Sequence, residues 1–185
     1  MNNDESSYRR YMDGDNDAFA LLVEEHYDAL ALYLNTFVHS LPVSEELAED
    51  TFVRIAVRKP AFRGQSSFRT WLFAIGRNIA RDYLRKETKL REKTADGIPE
   101  WTADDTEIER DYILGEQKKH LHRAMLKLKR EYRTVLWLVY FEDMTTEQAS
   151  VAIGKSKSST EHLVRRAKQV LKEQLLKEGF VYEES

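Results

Sequence analysis

The residue types that could do chemistry in this chain are basic, hydroxylic and aromatic, and they suit recognition of nucleic acid better than catalysis. Toward the C-terminal end, Lys157, Ser158, Glu161, His162 and Arg165 recur at three- and four-residue intervals, with Arg166, Lys168 and Lys172 close behind. That spacing puts the polar groups on the outside of a helix whose buried stripe is Thr160, Val164, Ala167, Leu171 and Leu175. Upstream, Thr145-Thr146-Glu147-Gln148 has capping-box spacing, Ala149, Ala152 and Ile153 follow, and Gly154 is placed to end a short helix. Ser156 or Ser158 can cap the next one. A short helix, a glycine turn and a longer helix form a helix-turn-helix, whose second helix sets polar tips against base edges in the DNA major groove. An ordinary helical hairpin would share the spacing; the basic Arg165, Arg166 and Lys168 on the second helix favour DNA.

A second basic block has a different character. Arg63, Arg69, Arg77, Arg81, Arg85 and Lys86 are interleaved with Phe62, Phe68, Trp71, Phe73 and Tyr83. Single-stranded nucleic acid wants that combination, because exposed bases stack on aromatic faces, at about 1–3 kcal/mol each, while a basic track follows the backbone. Aromatics at helical spacing also build cores, and Phe68 and Trp71 are assigned mainly there. The loop Arg63-Gly64-Gln65-Ser66-Ser67 and the outer face of the following helix remain as the strand contacts.

The total charge hides this layout. Lys and Arg number 29 against 32 Asp and Glu, a formal charge of −3, yet residues 1–50 carry 12 acidic and 2 basic groups while residues 54–93 carry 12 basic and 3 acidic. Residues 94–116 then hold 8 acidic groups and one Arg, and residues 117–178 return to 14 basic against 7 acidic. Two basic blocks flanking an acidic one point to nucleic-acid surfaces beside surfaces that face something else.

Signs of catalysis are weak. His120 and His122 fall on different sides of a helix, Asp104-Asp105 sits in a segment without periodicity, and there is neither a glycine-rich phosphate loop nor a serine nucleophile motif. None of the histidines, which also include His26, His39 and His162, is spaced to suggest a metal or pH switch. With no Cys there is no disulfide or thiolate chemistry. No cofactor, metal or catalytic residue is therefore expected. An acidic start, Met1-Asn2-Asn3-Asp4-Glu5, and the lack of a long apolar run argue against a signal peptide or membrane insertion, so a cytoplasmic protein is expected.

The elements that must position these groups are helical. In 185 residues there are only 7 Gly and 3 Pro, too few turn signals for many short strands. A long helix starts after Asp15–Asp17 and carries Phe19, Leu22, Val23, His26, Tyr27, Leu30, Tyr33, Leu34 and Phe37. A second restarts at Pro42 and Ser44, has Glu45-Glu46 in its first turn, and stops near Pro60. Ser67 caps a third, with Phe68, Trp71, Leu72, Ile75, Ile79 and Tyr83 inward. Periodicity fails from Glu87 to about Ile108, and Thr94-Ala95-Asp96-Gly97-Ile98-Pro99 reads as a linker. A fourth helix then carries Ile113, Leu114, Leu121, Met125 and Leu128, and a fifth carries Tyr132, Val135, Leu136, Leu138, Val139 and Phe141. The expectation is an all-α protein of two small helical domains, 1–87 and 111–178, joined by a flexible acidic linker, 88–110, with a tail at 179–185; the second domain is the helix-turn-helix.

These segments resemble, in order, the extracytoplasmic-function sigma factors, small two-domain promoter-recognition subunits of bacterial RNA polymerase. Gly14-Asp15-Asn16-Asp17-Ala18-Phe19 is similar to the family's opening, and Ala48-Glu49-Asp50-Thr51-Phe52-Val53-Arg54 to its core-binding helix. Phe62-Arg63-Gly64-Gln65-Ser66-Ser67-Phe68-Arg69-Thr70-Trp71-Leu72, continuing through Arg77 to Arg85, is the most specific match. Tyr132-Arg133-Thr134-Val135-Leu136, Gly154 and Arg166-Ala167-Lys168 resemble the helix-turn-helix domain.

The resemblance implies binding to core RNA polymerase and to promoter DNA, both melted and duplex, with no catalysis of its own. By motif, Leu47, Glu49, Asp50, Phe52 and Arg54 would face the polymerase clamp helices. Loop 63–67 with Asn78 would hold a flipped minus-ten base, and Arg77, Arg81, Arg85 and Lys86 would follow the strand's phosphates. Lys157, Ser158, Glu161, His162, Arg165, Arg166 and Lys168 would contact the minus-thirty-five duplex, and an anti-sigma factor, often anchored at the inner membrane face, would hold the protein inactive. Glu49-Asp50 stands where the family often has Gln-Glu, no proline precedes the fifth helix, and Glu161 stands where many relatives are basic. A carboxylate there can accept from cytosine N4, so an atypical minus-thirty-five sequence is expected. Two rivals remain open: an independent helix-turn-helix regulator binding a two-fold duplex site, and a helical adaptor that binds only proteins.

Overall fold

A computed structural model describes residues 3–94, 121 and 123–177, and every regular element among them is a helix. The helices described from end to end are α1 (Asn3–Met12), α2 (Asn16–Val38), α3 (Leu41–Arg58), α4 (Phe68–Thr94), α5 (Arg130–Tyr140), α6 (Thr146–Ile153) and α7 (Lys157–Lys177), and residues 121 and 123–126, before α5, are helical as well. Ile113, Leu114, His120, His122 and the acidic segment expected from Ala95 onward lie outside the described residues. Among the described residues no helix is long and apolar enough to cross a membrane.

Local signals set several boundaries. Asp15 caps α2 by accepting from the Ala18 amide at 3.1 Å, and the Ser67 hydroxyl accepts from the Thr70 amide at 3.2 Å to start α4. Thr145 and Gln148 form the full reciprocal capping box of α6, and Gly154, at φ +63°, ends it. Ser156 caps α7, accepting from the Ser159 amide at 3.2 Å. α3 departs from expectation: it begins at Leu41 with Pro42 in its opening positions, so Glu45-Glu46 fall in its second turn and no acidic residue occupies the first.

α1 is an element the apolar pattern misses. Its sequence, NDESSYRRYM, offers only two aromatic anchors, and both work through distant partners. Tyr8 Oη donates to the Pro60 carbonyl at 2.7 Å and Tyr11 Oη to the Ala56 carbonyl at 3.0 Å, fastening α1 over the end of α3 and the chain leading to loop 63–67. Asp4 Oδ2, also buried, lies 3.2 Å from His26 Nε2 and ties α1 to α2, with Glu25 at the exposed edge of the pair.

The core of the first domain joins Leu30, Tyr33 and Leu34 of α2 to Leu47 and Ile55 of α3 and to Phe68, Leu72 and Phe73 of α4. Gly76 permits the α2–α4 approach, since a Cβ there would meet Leu30 Cδ1 at 2.9 Å. In the second domain, Val135 and Leu138 of α5 pack with Ala149 and Ala152 of α6 and Ala167 of α7. α4 runs to Thr94, beyond the Glu87 at which apolar periodicity ends; its last turns are polar and carry an Arg91–Glu87 pair at 2.8 Å. The two domains are in contact, α2 against α5 and α4 against α6.

Candidate nucleic-acid interface

The loop before α4 hangs from an aromatic cluster. Phe68, fully buried, has its ring centroid 5.4 Å from Tyr8, 6.0 Å from Phe62 and 5.5 Å from Trp71. Phe62 and Trp71 stay partly exposed around it, while Arg63, Gly64 and Gln65 project into solvent and Ser66 and Ser67 are half-buried. Gly64 sits at φ +65°, a left-handed conformation that lets the loop turn sharply. Along α4, Asn78, Arg81, Arg85 and Lys86 are exposed, and Asn78, Arg81, Asp82 and Arg85 form one open polar face of the helix. Asp82 is paired with Arg85 at 3.2 Å, so one carboxylate sits within the basic track.

Arg77 differs from its neighbours on the track. It is half-buried, and its guanidinium lies against Gly154 of the second domain. Burial and the charge of Arg81 both lower its pKa, though a guanidinium remains charged. Arg69, not among the strand contacts expected from sequence, is also drawn across: it forms an ion pair with Glu142 and stands 5.7 Å over the Phe73 ring. Glu142 is 6% exposed and accepts from Trp137 Nε1 at 2.9 Å. Burial raises its pKa, with Arg69 and the Trp137 hydrogen bond opposing.

The outer face of α7 is simpler. Lys157, Ser158, Glu161, His162, Arg165, Arg166 and Lys168 are all exposed, and Thr160, Ala167 and Leu175 are buried behind them. Val164 and Leu171, placed on the buried stripe from sequence, are only half-buried. Lys157 lies 3.5 Å from Glu147, and Lys168 Nζ is 5.1 Å from the Tyr140 ring centroid.

On α3 the structure corrects the expected protein-binding set. Leu47 and Phe52 are 4% and 5% exposed and belong to the core, so their side chains hold the helix in place instead of facing a partner. The outward face consists of Glu46, Glu49, Asp50 and half-buried Arg54, together with Val53 and Val57 at 58% and 79% exposed. Two exposed valines follow the carboxylates along this face, so the strip is acidic at its start and apolar toward its end. Sequence reasoning missed them because core residues at helical spacing and the exposed ones beside them are equally apolar.

Comparison with known proteins agrees with this two-part layout. The family model for Sigma-70 region 2 matches residues 22–90, and that for Sigma-70 region 4 matches residues 118–171. The RNA polymerase sigma factor YlaC of Bacillus subtilis is 30% identical over 165 residues, covering 87% of this chain and 94% of YlaC. The RNA polymerase sigma factor NccH of Alcaligenes xylosoxydans xylosoxydans is 31% identical, covering 91% of this chain and 92% of NccH. Among solved structures, CnrH in complex with the cytosolic domain of CnrY has a TM-score of 0.69 at 24% identity, covering 94% of this chain and 97% of CnrH. RpoE in complex with the anti-sigma factor NepR from Bartonella quintana has a TM-score of 0.65 at 22% identity, covering 85% and 96%. These two likenesses show the shared fold.

Proposed function

Since the chain belongs to the sigma-70 family, as a sigma factor of the extracytoplasmic-function type that directs promoter-specific transcription, we propose that its two basic faces divide one promoter between them. The first domain, residues 1–87, binds core RNA polymerase through the strip Glu46, Glu49, Asp50, Val53, Arg54 and Val57. Its loop 63–67 and Asn78 take a base of the melted minus-ten element, with Arg77, Arg81, Arg85 and Lys86 along the phosphates. The second domain, residues 111–178, reads the minus-thirty-five duplex with Lys157, Ser158, Glu161, His162 and Arg165, while Arg166 and Lys168 hold the backbone. The observation that carries this reading is the pairing of an exposed basic recognition helix with a basic track beside an aromatic-supported loop. Sigma factors are not enzymes: binding energy favours the melted promoter, and the polymerase performs the chemistry. An anti-sigma factor is the expected regulatory partner, as for the RpoE relative, and it would hold this chain in the cytoplasm or at the inner membrane face.

Fluorescence titration with bacterial core polymerase, followed by transcription from a random promoter library, tests the reading. Saturable binding and start sites sharing two spaced boxes are expected. Failure to bind core, with retention of a two-fold duplex by the free protein, would make an independent regulator the better account. Glu161→Ala tests the fine reading: the selected upstream box is expected to lose a cytosine preference at one position, and an unchanged box would remove Glu161 from base readout.

A further inference from the structure

Asp4, Glu25 and His26 bring their ligand atoms together where α1 rests on α2, all within 4.8 Å of one another. Asp4 belongs to the first turn of α1, whereas Glu25 and His26 belong to α2, so helix packing makes the cluster and spacing along the chain hides it. Among the described residues no other three such side chains come so close. The His26 and Asp4 side chains are withdrawn from water, at 6% and 7% exposure, while Glu25 stands at the open edge. The His26 ring packs 5.8 Å from the Phe68 ring, centroid to centroid, which restricts its rotation. Asp4 Oδ2 is 3.2 Å from His26 Nε2, yet Nε2 makes no hydrogen bond. A buried nitrogen left so, beside a carboxylate, is placed to give its electron pair to an ion.

We propose that Asp4, Glu25 and His26 form a binding site for a divalent first-row transition cation, with the ligand set of zinc, that staples α1 to α2. Imidazole nitrogen and carboxylate oxygen are both zinc ligands, and atoms about 2.1 Å from a tetrahedral zinc stand about 3.4 Å apart. The His26–Asp4 separation of 3.2 Å is close to that edge. Glu25, exposed and within 4.8 Å of both, closes the remaining distance by side-chain rotation. Three protein ligands leave a fourth position for water, and the cavity beside them is polar, with Asn3, Ser67 and Thr70 in its wall. Arg69 lines the same cavity, but its charge is already matched by Glu142. The surrounding field also favours a cation, since residues 1–50 carry 12 acidic and 2 basic groups. Two carboxylates and a neutral imidazole prefer zinc and its neighbours to calcium or magnesium, which take oxygen ligands.

Zinc chloride titrated into chelator-stripped full-length protein tests the site. Saturable binding by calorimetry is expected, with a thermal unfolding midpoint that rises with zinc concentration. Glu25→Gln, at an exposed position, is expected to weaken binding roughly ten-fold or more, because a direct ligand counts for at least as much as a hydrogen-bond partner behind one. His26→Gln, checked for folding by circular dichroism, should remove the zinc-dependent rise. Glu24→Gln takes away the same charge one residue outside the cluster and should change neither measurement. No saturable binding, or binding that Glu25→Gln leaves intact, would overturn the site. Equal losses in Glu24→Gln and Glu25→Gln would replace coordination by diffuse attraction to an acidic surface, and so overturn it as well.

Discussion

The two surfaces proposed to face DNA are built on different terms. The outer face of α7 needs little beyond a helix: its polar residues are exposed and its buried anchors, Thr160, Ala167 and Leu175, lie about two turns apart on the same element. The α4 face depends on the whole first domain, since loop 63–67 hangs from rings of α1, the preceding loop and α4, and two of the arginines on α4, Arg69 and Arg77, are engaged by the other domain. A surface made by one helix is available whenever the helix forms. A surface assembled from several elements depends on the packing of all of them.

The largest test of this contrast is Phe68→Ala. Removing a fully buried ring that touches Tyr8, Phe62 and Trp71 is expected to cost about 3–5 kcal/mol in a urea unfolding series. Single-strand binding should fall further than duplex binding, and an equal loss at both faces would break the distinction.

Alkaline pH gives a second, smaller effect. Burial, and then the neighbouring Tyr11, push the Tyr8 phenol from 10.0 up to about 12. The unfolded chain ionises first, so this stabilisation is complete below pH 10 and disappears as pH rises through 12. It amounts to something on the order of 2 kcal/mol. Thermal unfolding of the native protein should steepen its decline over that window, and Tyr8→Phe should flatten the decline at the expense of the hydrogen bond to Pro60.

The smallest effects are in salt dependence, where the faces should differ in substrate. Arg165→Ala is expected to reduce the log–log salt slope of duplex binding by about 0.9 and leave the single-strand slope alone. Arg81→Ala should reduce the single-strand slope by about 0.7 and leave duplex binding unchanged. Anisotropy titrations across salt concentrations measure both, and crossed effects would mean that the two surfaces read one substrate.

The amino-acid sequence by itself determined what depends on near neighbours along the chain. The Asp15, Ser67 and Thr145 caps, the Gly154 stop and the outward row from Lys157 to Lys168 follow from hydrogen-bonding side chains and helical spacing within a few residues. Tertiary structure decided what depends on distant partners. α1 forms from a polar decapeptide because its two tyrosines bond carbonyls 52 and 45 residues away. Leu47 and Phe52 lie on the helical-period stripe Leu47, Ala48, Thr51, Phe52 and Ile55 and turn inward, while Val53 and Val57, off that stripe, turn out; the spacing marks the inner side of α3, and the packing of α2 and α4 against it leaves the two valines exposed. Arg69 and Arg77 look like their neighbours on the basic track, yet they are held across the seam, since the groups they meet, Glu142 and the end of α6, come from the other domain and no local pattern encodes where that domain will sit.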